Sequence, residues 1–237
     1  MENKKSEITK KYSEKQPMDI GDLRTIMALL RAPGGCPWDA EQTHESIRNN
    51  FIEETYEAVE AIDCGDTALL REELGDVLLQ VIFHAQMEEE RGSFSFDDVV
   101  DEVCRKLVLR HPHVFADTVA KTADEVLDNW DAIKKNSKNQ TTATESLESV
   151  ARSLPALMRA QKLIKRAGKA GYIDAAMDCG DSAGAELLRA VYGAYSAGAD
   201  AEQLLYDECD ALIGRVRNAE TRKADRFYRT MLKPKGR

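Results

Sequence analysis

Thr67–Arg91 reads TALLREELGDVLLQVIFHAQMEEER, and in it Leu70, Leu74, Val77, Leu78, Val81, Ile82 and Ala85 recur at helical spacings. That pattern holds one apolar stripe over about four turns and predicts a long amphipathic helix. The preceding stretch, about His44 to Asp63, spaces Ile47, Phe51, Ala58 and Ile62 for one face of another helix. Only Cys64-Gly65-Asp66 lies between them, and a turn that short forces the two helices antiparallel. A helical hairpin is therefore the centre of the fold.

The same period extends outward. Asp19 or Asp22 can cap a helix running to about Leu30, and APGGCPWD (Ala32–Asp39) is a loop by its Pro and Gly content. Ser95 or Asp97 opens a helix through Val99, Val103 and Leu107. Thr122-Ala-Asp-Glu125 has the capping-box pattern and starts a short helix containing Trp130 and Ile133. No strand signal occurs anywhere, so the class is all-α.

Residues 1–18, charged and nearly free of large apolar side chains, read as a loose arm, and residues 19–135 as the main helical domain. KKNSKNQTTATESLES (Lys134–Ser149) has little apolar content, which places a linker over residues 136–152. Residues 153–237 follow as a smaller helical appendage, with helical stretches at Leu154–Ala170, Ala183–Ser196 and Ala201–Ala219.

Composition narrows the function. The 237 residues carry a net charge of −9, a surface that repels a phosphate backbone and argues against general nucleic-acid binding. Five cysteines, with no C-x-x-C pair, argue against a disulfide framework or a structural zinc site and for a reducing cytoplasm. No apolar run approaches the roughly 18 residues that span a bilayer, so no membrane partner is expected.

The chemistry is concentrated in acids. Glu53, Glu54 and Glu57 lie on the first arm of the hairpin, and Glu72, Glu73 and Asp76 on the second. Residues three apart share a helix face, so Glu54 with Glu57 and Glu73 with Asp76 each present two carboxylates on one side. A solvated acidic face is the plain alternative in a chain with 42 acids. Against it, the stripe holding Glu73 and Asp76 continues as Leu69 on one side and Phe83 and Met87 on the other. Like charges so placed also repel unless a cation compensates. Four carboxylates suit a hard cation, Mg²⁺ above all, which keeps waters and bridges to phosphates. Spacing alone leaves both readings open.

A resemblance decides between them. CPWD (Cys36–Asp39), Gln42-Thr43-His44, EETYE (Glu53–Glu57), EELGD (Glu72–Asp76) and RHPHVF (Arg110–Phe115) together resemble the MazG family. These are nucleoside triphosphate pyrophosphohydrolases of the all-α pyrophosphatase superfamily. The likeness runs from about Leu23 to Lys135 and continues through SLPALMRAQK (Ser153–Lys162). It implies a helical bundle, a homodimer and Mg²⁺-dependent cleavage of a nucleoside triphosphate to monophosphate and pyrophosphate, with Mn²⁺ able to substitute. It also implies that Glu54, Glu57, Glu73 and Asp76 hold the metal, with Glu53 orienting or deprotonating the attacking water. A metal-activated water needs no serine or cysteine nucleophile.

Lys106 and Arg110, four apart on one helix face, match family positions near the nucleotide, where a guanidinium can hold phosphate oxygens bidentately. Trp38 reads either as a plug beneath its loop or as a base-stacking ring, and Trp130 resembles a family residue near the nucleotide. His44 suits either a hydrogen-bonding role at a helix start or a catalytic one. Gly75 costs a helix interior up to ~1 kcal/mol, which points to close approach of a backbone or ligand.

One departure stands out. Two-domain relatives repeat the acidic motif, but no EExxE or ExxD occurs between Ile173 and Arg237. The densest acids there, Asp207, Glu208 and Asp210, have no partner helix. The expectation is a single N-terminal site serving nucleotide-pool housecleaning. The rivals are a narrow-substrate pyrophosphohydrolase of the phosphoribosyl-ATP or dCTP type and a non-catalytic nucleotide-binding regulator.

Overall fold

Gly65 is where the hairpin turns. It ends α4 (Arg48–Cys64) in the left-handed conformation, φ +66°, which costs glycine nothing. The Asp66 N–H donates to Ala61 O at 3.0 Å, closing the helix end. The Asp66 carboxylate then accepts from the Ala68 and Leu69 N–H groups and starts α5 (Thr67–Arg91). A computed structural model of the chain describes residues 2–116, 122, 125, 126, 130, 133 and 141–231, with side chains to residue 223. Its described residues form helices and no strand, the all-α class expected.

Two compact units divide the chain, Met1–Ala120 and Lys121–Arg237. In the first, α1 (Glu2–Ser13) and α2 (Ile20–Arg31) precede a Gly-Pro loop and the short α3 (Pro37–Glu41); α6 (Phe96–Arg110) and α7 (Pro112–Phe115) follow the hairpin. The second holds α8 (Ala143–Glu148), α9 (Ala156–Lys169), α10 (Ile173–Met177), α11 (Ala183–Ser196) and α12 (Ala201–Met231).

The core of the first unit joins Met27, Ile47, Ile82, Phe83 and Met87, with Leu23, Leu79 and Phe96 packed against it. Arg31 fastens the loop to this core. Its guanidinium pairs with Glu90 at 2.9 Å, stacks on Phe83, and donates to the Asp39 and Gln42 carbonyls. Gly35 sits where a Cβ would lie 2.3 Å from Leu29 O, so the loop tolerates no side chain there.

Three expectations need correction. The opening residues, read as a loose arm, include helix α1, and the Lys11 ammonium reaches the buried Asp22 carboxylate at 2.8 Å. The stretch read as linker contains α8, started by a Thr142–Glu145 capping box, and Val150 behind it is buried. Arg166 holds that segment through the Ser146 carbonyl and the Ser149 hydroxyl. On α4, Ala61 rather than Ile62 turns inward; Ile62 is 60% exposed. The helix that Thr122 was expected to start lies mostly outside the described residues, although Thr122 Oγ1 does accept from the Glu125 N–H.

Candidate active site

The buried face of α5 mixes Ile82, Phe83, Ala85 and Met87 with one acid and one amide. Glu73 and Gln80 are buried with Phe83 and Met87, whereas Leu74 and Leu78 of the apolar stripe are exposed. On α4 the inward residues are Phe51, Glu54, Ala58 and Ala61, of which Ala58 and Ala61 are fully buried. The antiparallel packing of these two faces carries Glu54 and Glu57 to Glu73. One ligand atom from each lies within 4.8 Å of the others, with Glu73 buried, Glu54 partly covered and Glu57 exposed.

The electrostatics of this group are those of crowded like charges. Burial, then the neighbouring Asp76 and Glu57 carboxylates, raise Glu54 above the usual carboxylate range. Burial, then Glu57 and Asp76, do the same to Glu73. Asp76 therefore belongs to the same field, although the three-atom group itself consists of the glutamates. Such a cluster of oxygen donors fits a hard divalent cation, which removes the repulsion that burial aggravates.

The other candidates lie on several elements. Glu53 is exposed on α4. Lys106 and Arg110 occupy the last turns of α6, Lys106 exposed and Arg110 partly covered. Trp38 lies on α3 with 58% of its surface exposed, so it is no plug beneath the loop. Trp130 belongs to the second unit and is partly covered. No close backbone explains Gly75, since an added Cβ would meet nothing within 4 Å.

Sequence reasoning missed a histidine pair. The His44 and His84 rings stack with centroids 4.9 Å apart, and their Nδ1 atoms are 2.6 Å apart. His44 Nε2 lies 2.6 Å from Glu88 Oε1, which also accepts from Arg91. Burial and the neighbouring His44 hold His84 below its ordinary value, and the hydrogen bond from His44 holds Glu88 low. The chain thus ties the residues before α4 to the far half of α5. Forty residues separate the two histidines, so no local spacing could have announced the contact.

Comparison with known proteins places this segment in a family. Residues 42–115 match the model of the MazG nucleotide pyrophosphohydrolase domain, a segment that contains Glu54, Glu57, Glu73 and Asp76. An Escherichia coli protein named nucleoside triphosphate pyrophosphohydrolase is 49% identical over 154 residues, covering 65% of this chain and 59% of that one. A Thermotoga maritima nucleoside triphosphate pyrophosphohydrolase/pyrophosphatase MazG is 42% identical over 64% of this chain and 57% of that one. An uncharacterised 26.1 kDa protein of Streptomyces cacaoi is 42% identical over 84% of this chain and 81% of its own length. The chain thus spans less than two thirds of the two named pyrophosphohydrolases. It belongs to the MazG family, whose domain is that of a hydrolase acting on nucleotides.

Proposed function

We propose that this chain hydrolyses nucleoside triphosphates between the α- and β-phosphates, giving a nucleoside monophosphate and pyrophosphate in the service of nucleotide-pool housecleaning. The observation that carries the reading is the convergence of Glu54, Glu57 and Glu73, from two helices, within 4.8 Å. With Asp76 these residues would hold Mg²⁺, or Mn²⁺ in its place. The cation supplies an acidified water and offsets the charge of the triphosphate.

The chain's own groups do the rest. Glu53, beside the cluster and open to solvent, orients the attacking water and takes its proton. Lys106 and Arg110 hold phosphate oxygens, Arg110 with a planar fork that fits them bidentately. Trp38 offers its ring face to the base.

The active form is a homodimer. Ile52, Tyr56, Val59 and Ile62 on α4, with Leu74 and Leu78 on α5, leave an exposed apolar surface on the outside of the hairpin. A stripe of that kind is what a second copy would cover. A reducing cytoplasm suits the five cysteines, all free thiols. No helix among the described residues is long and apolar enough to cross a membrane.

The test is turnover of a triphosphate panel in ¹⁸O-water with Mg²⁺ and then EDTA, with products weighed by mass spectrometry. Monophosphate and pyrophosphate, one of them bearing solvent oxygen, are expected, with no turnover in EDTA. Nucleoside diphosphate and inorganic phosphate as direct products overturn the reading. Binding without turnover across the panel would show a regulator instead.

A further inference from the structure

Helix α12 runs for 31 residues, about 46 Å at 1.5 Å per residue. Among its described side chains, the buried one lies at its start. Ala201 is buried, its N–H donating to Gln161 Oε1, and Glu202 accepts from the Met158 N–H. From Gln203 to Lys223 every residue but the half-covered Gly214 is exposed.

That exposed length is not uniformly polar. Leu205, Cys209, Leu212, Val216 and Ala219 follow one another at alternating steps of four and three, the a/d seam of a coiled coil. Leu205, Leu212 and Val216 are each more than half exposed. The charges divide along the same helix. Residues 201–213 carry Glu202, Asp207, Glu208 and Asp210 with no base. Residues 214–223 carry Arg215, Arg217, Arg222 and Lys223 against Glu220 alone.

We propose that α12 pairs with α12 of a second copy of this chain as an antiparallel coiled coil. Parallel pairing would set acid beside acid and base beside base. Antiparallel pairing sets each acidic half against the other copy's basic half, which is the arrangement the charge division favours. With the seam in register, Leu205 faces Val216 of the second copy and Cys209 faces its Leu212. Glu208 and Arg215, which pair at 2.8 Å along one helix edge, then also face each other across the two. This contact is independent of the apolar surface on the hairpin and of the activity proposed above.

Disulfide trapping in the full-length chain tests it. The five native cysteines are first changed to serine, and thermal melts confirm that the fold survives. Leu205→Cys and Val216→Cys are then introduced together, and each alone, under mild oxidation. The two sites lie about 16 Å apart along one helix and cannot bridge within a chain. The double variant should form a covalent dimer about tenfold faster than an Asn218→Cys control on the outer face, through the high effective concentration of a standing contact. Peptide mass spectrometry should then find residue 205 joined to residue 216, while neither single variant crosslinks above the control. Bridges joining 205 to 205 and 216 to 216 would show parallel pairing and overturn the orientation. Crosslinking of the double variant no faster than the control would overturn the pairing itself. Adding Arg215→Glu and Arg217→Glu should slow the 205–216 bridge, because both charge halves then carry the same sign.

Discussion

Removing one charge from a cluster of like charges has two opposite effects, and Glu57→Gln and Asp76→Asn separate them. If these carboxylates hold the metal, each variant should lose activity by several orders of magnitude. In EDTA each should melt at or above the wild-type temperature, because repulsion is relieved. Mg²⁺ at a hundred times its dissociation constant adds about 2.7 kcal/mol to the wild type and should raise the variants' melting temperature less. Equal Mg²⁺ shifts in all three proteins would remove these residues from the site. A second residue works through pH. The hydrogen bond from Lys11, then that from the Asp19 N–H, hold the Asp22 carboxyl below its ordinary 3.8. A depressed acid contributes stability above its unfolded value and loses it as pH falls through the folded one. Melts of wild type and Asp22→Asn should therefore differ at neutral pH and converge on acidification below about pH 4. A gap that persists unchanged at low pH would mean that the carboxylate's charge is not what stabilises the start of α2.

At the scale of an element, α5 combines helix signals with a conflict. Gly75 sits in its interior beside Asp76, and an added Cβ would meet nothing in the chain. Gly75→Ala should thus raise stability by up to ~1 kcal/mol in thermal melts. If kcat falls while the melting temperature rises, the space at Gly75 is occupied during turnover by ligand or by a second chain. Unchanged kcat would show that the glycine serves neither. The period of α5 was legible as a helix; which of its faces turns inward was not. Counting apolar residues favours the Leu70–Leu74–Leu78 stripe, yet Glu73 and Gln80 are buried while Leu74 is 55% exposed. Hydropathy measures what a side chain prefers, and only the packing partner decides which face is served.

For the whole molecule, the two apolar surfaces make separable predictions. Leu74→Glu places a charge on the exposed hairpin face and should weaken association through the first unit. Leu212→Glu should do the same for α12. In ultracentrifugation over a dilution series, each single variant should dissociate at higher concentration than wild type, and the double variant should remain monomeric throughout, since independent interfaces contribute nearly additively. Helical circular dichroism should stay unchanged in all of them. If the double variant associates as tightly as wild type, neither surface joins copies of the chain.

Local patterning was enough to determine that the chain is helical, that Cys64–Asp66 reverses it, and that Glu54 with Glu57, and Glu73 with Asp76, each share one face of a helix. Those features rest on contacts three or four residues apart, or on a turn of three residues, and sequence spacing encodes them directly. The tertiary structure alone decided that Lys11 reaches Asp22, that Arg31 fastens the Asp39 loop to Glu90, and that His44 meets His84 and Glu88. It also decided that α8 forms within a stretch poor in apolar residues, because Arg166 and a capping box supply what hydrophobicity does not. Apart from that capping box, which is local, each of these joins side chains that spacing cannot bring together. Only the path of the folded backbone sets which polar groups end up within a hydrogen bond of one another.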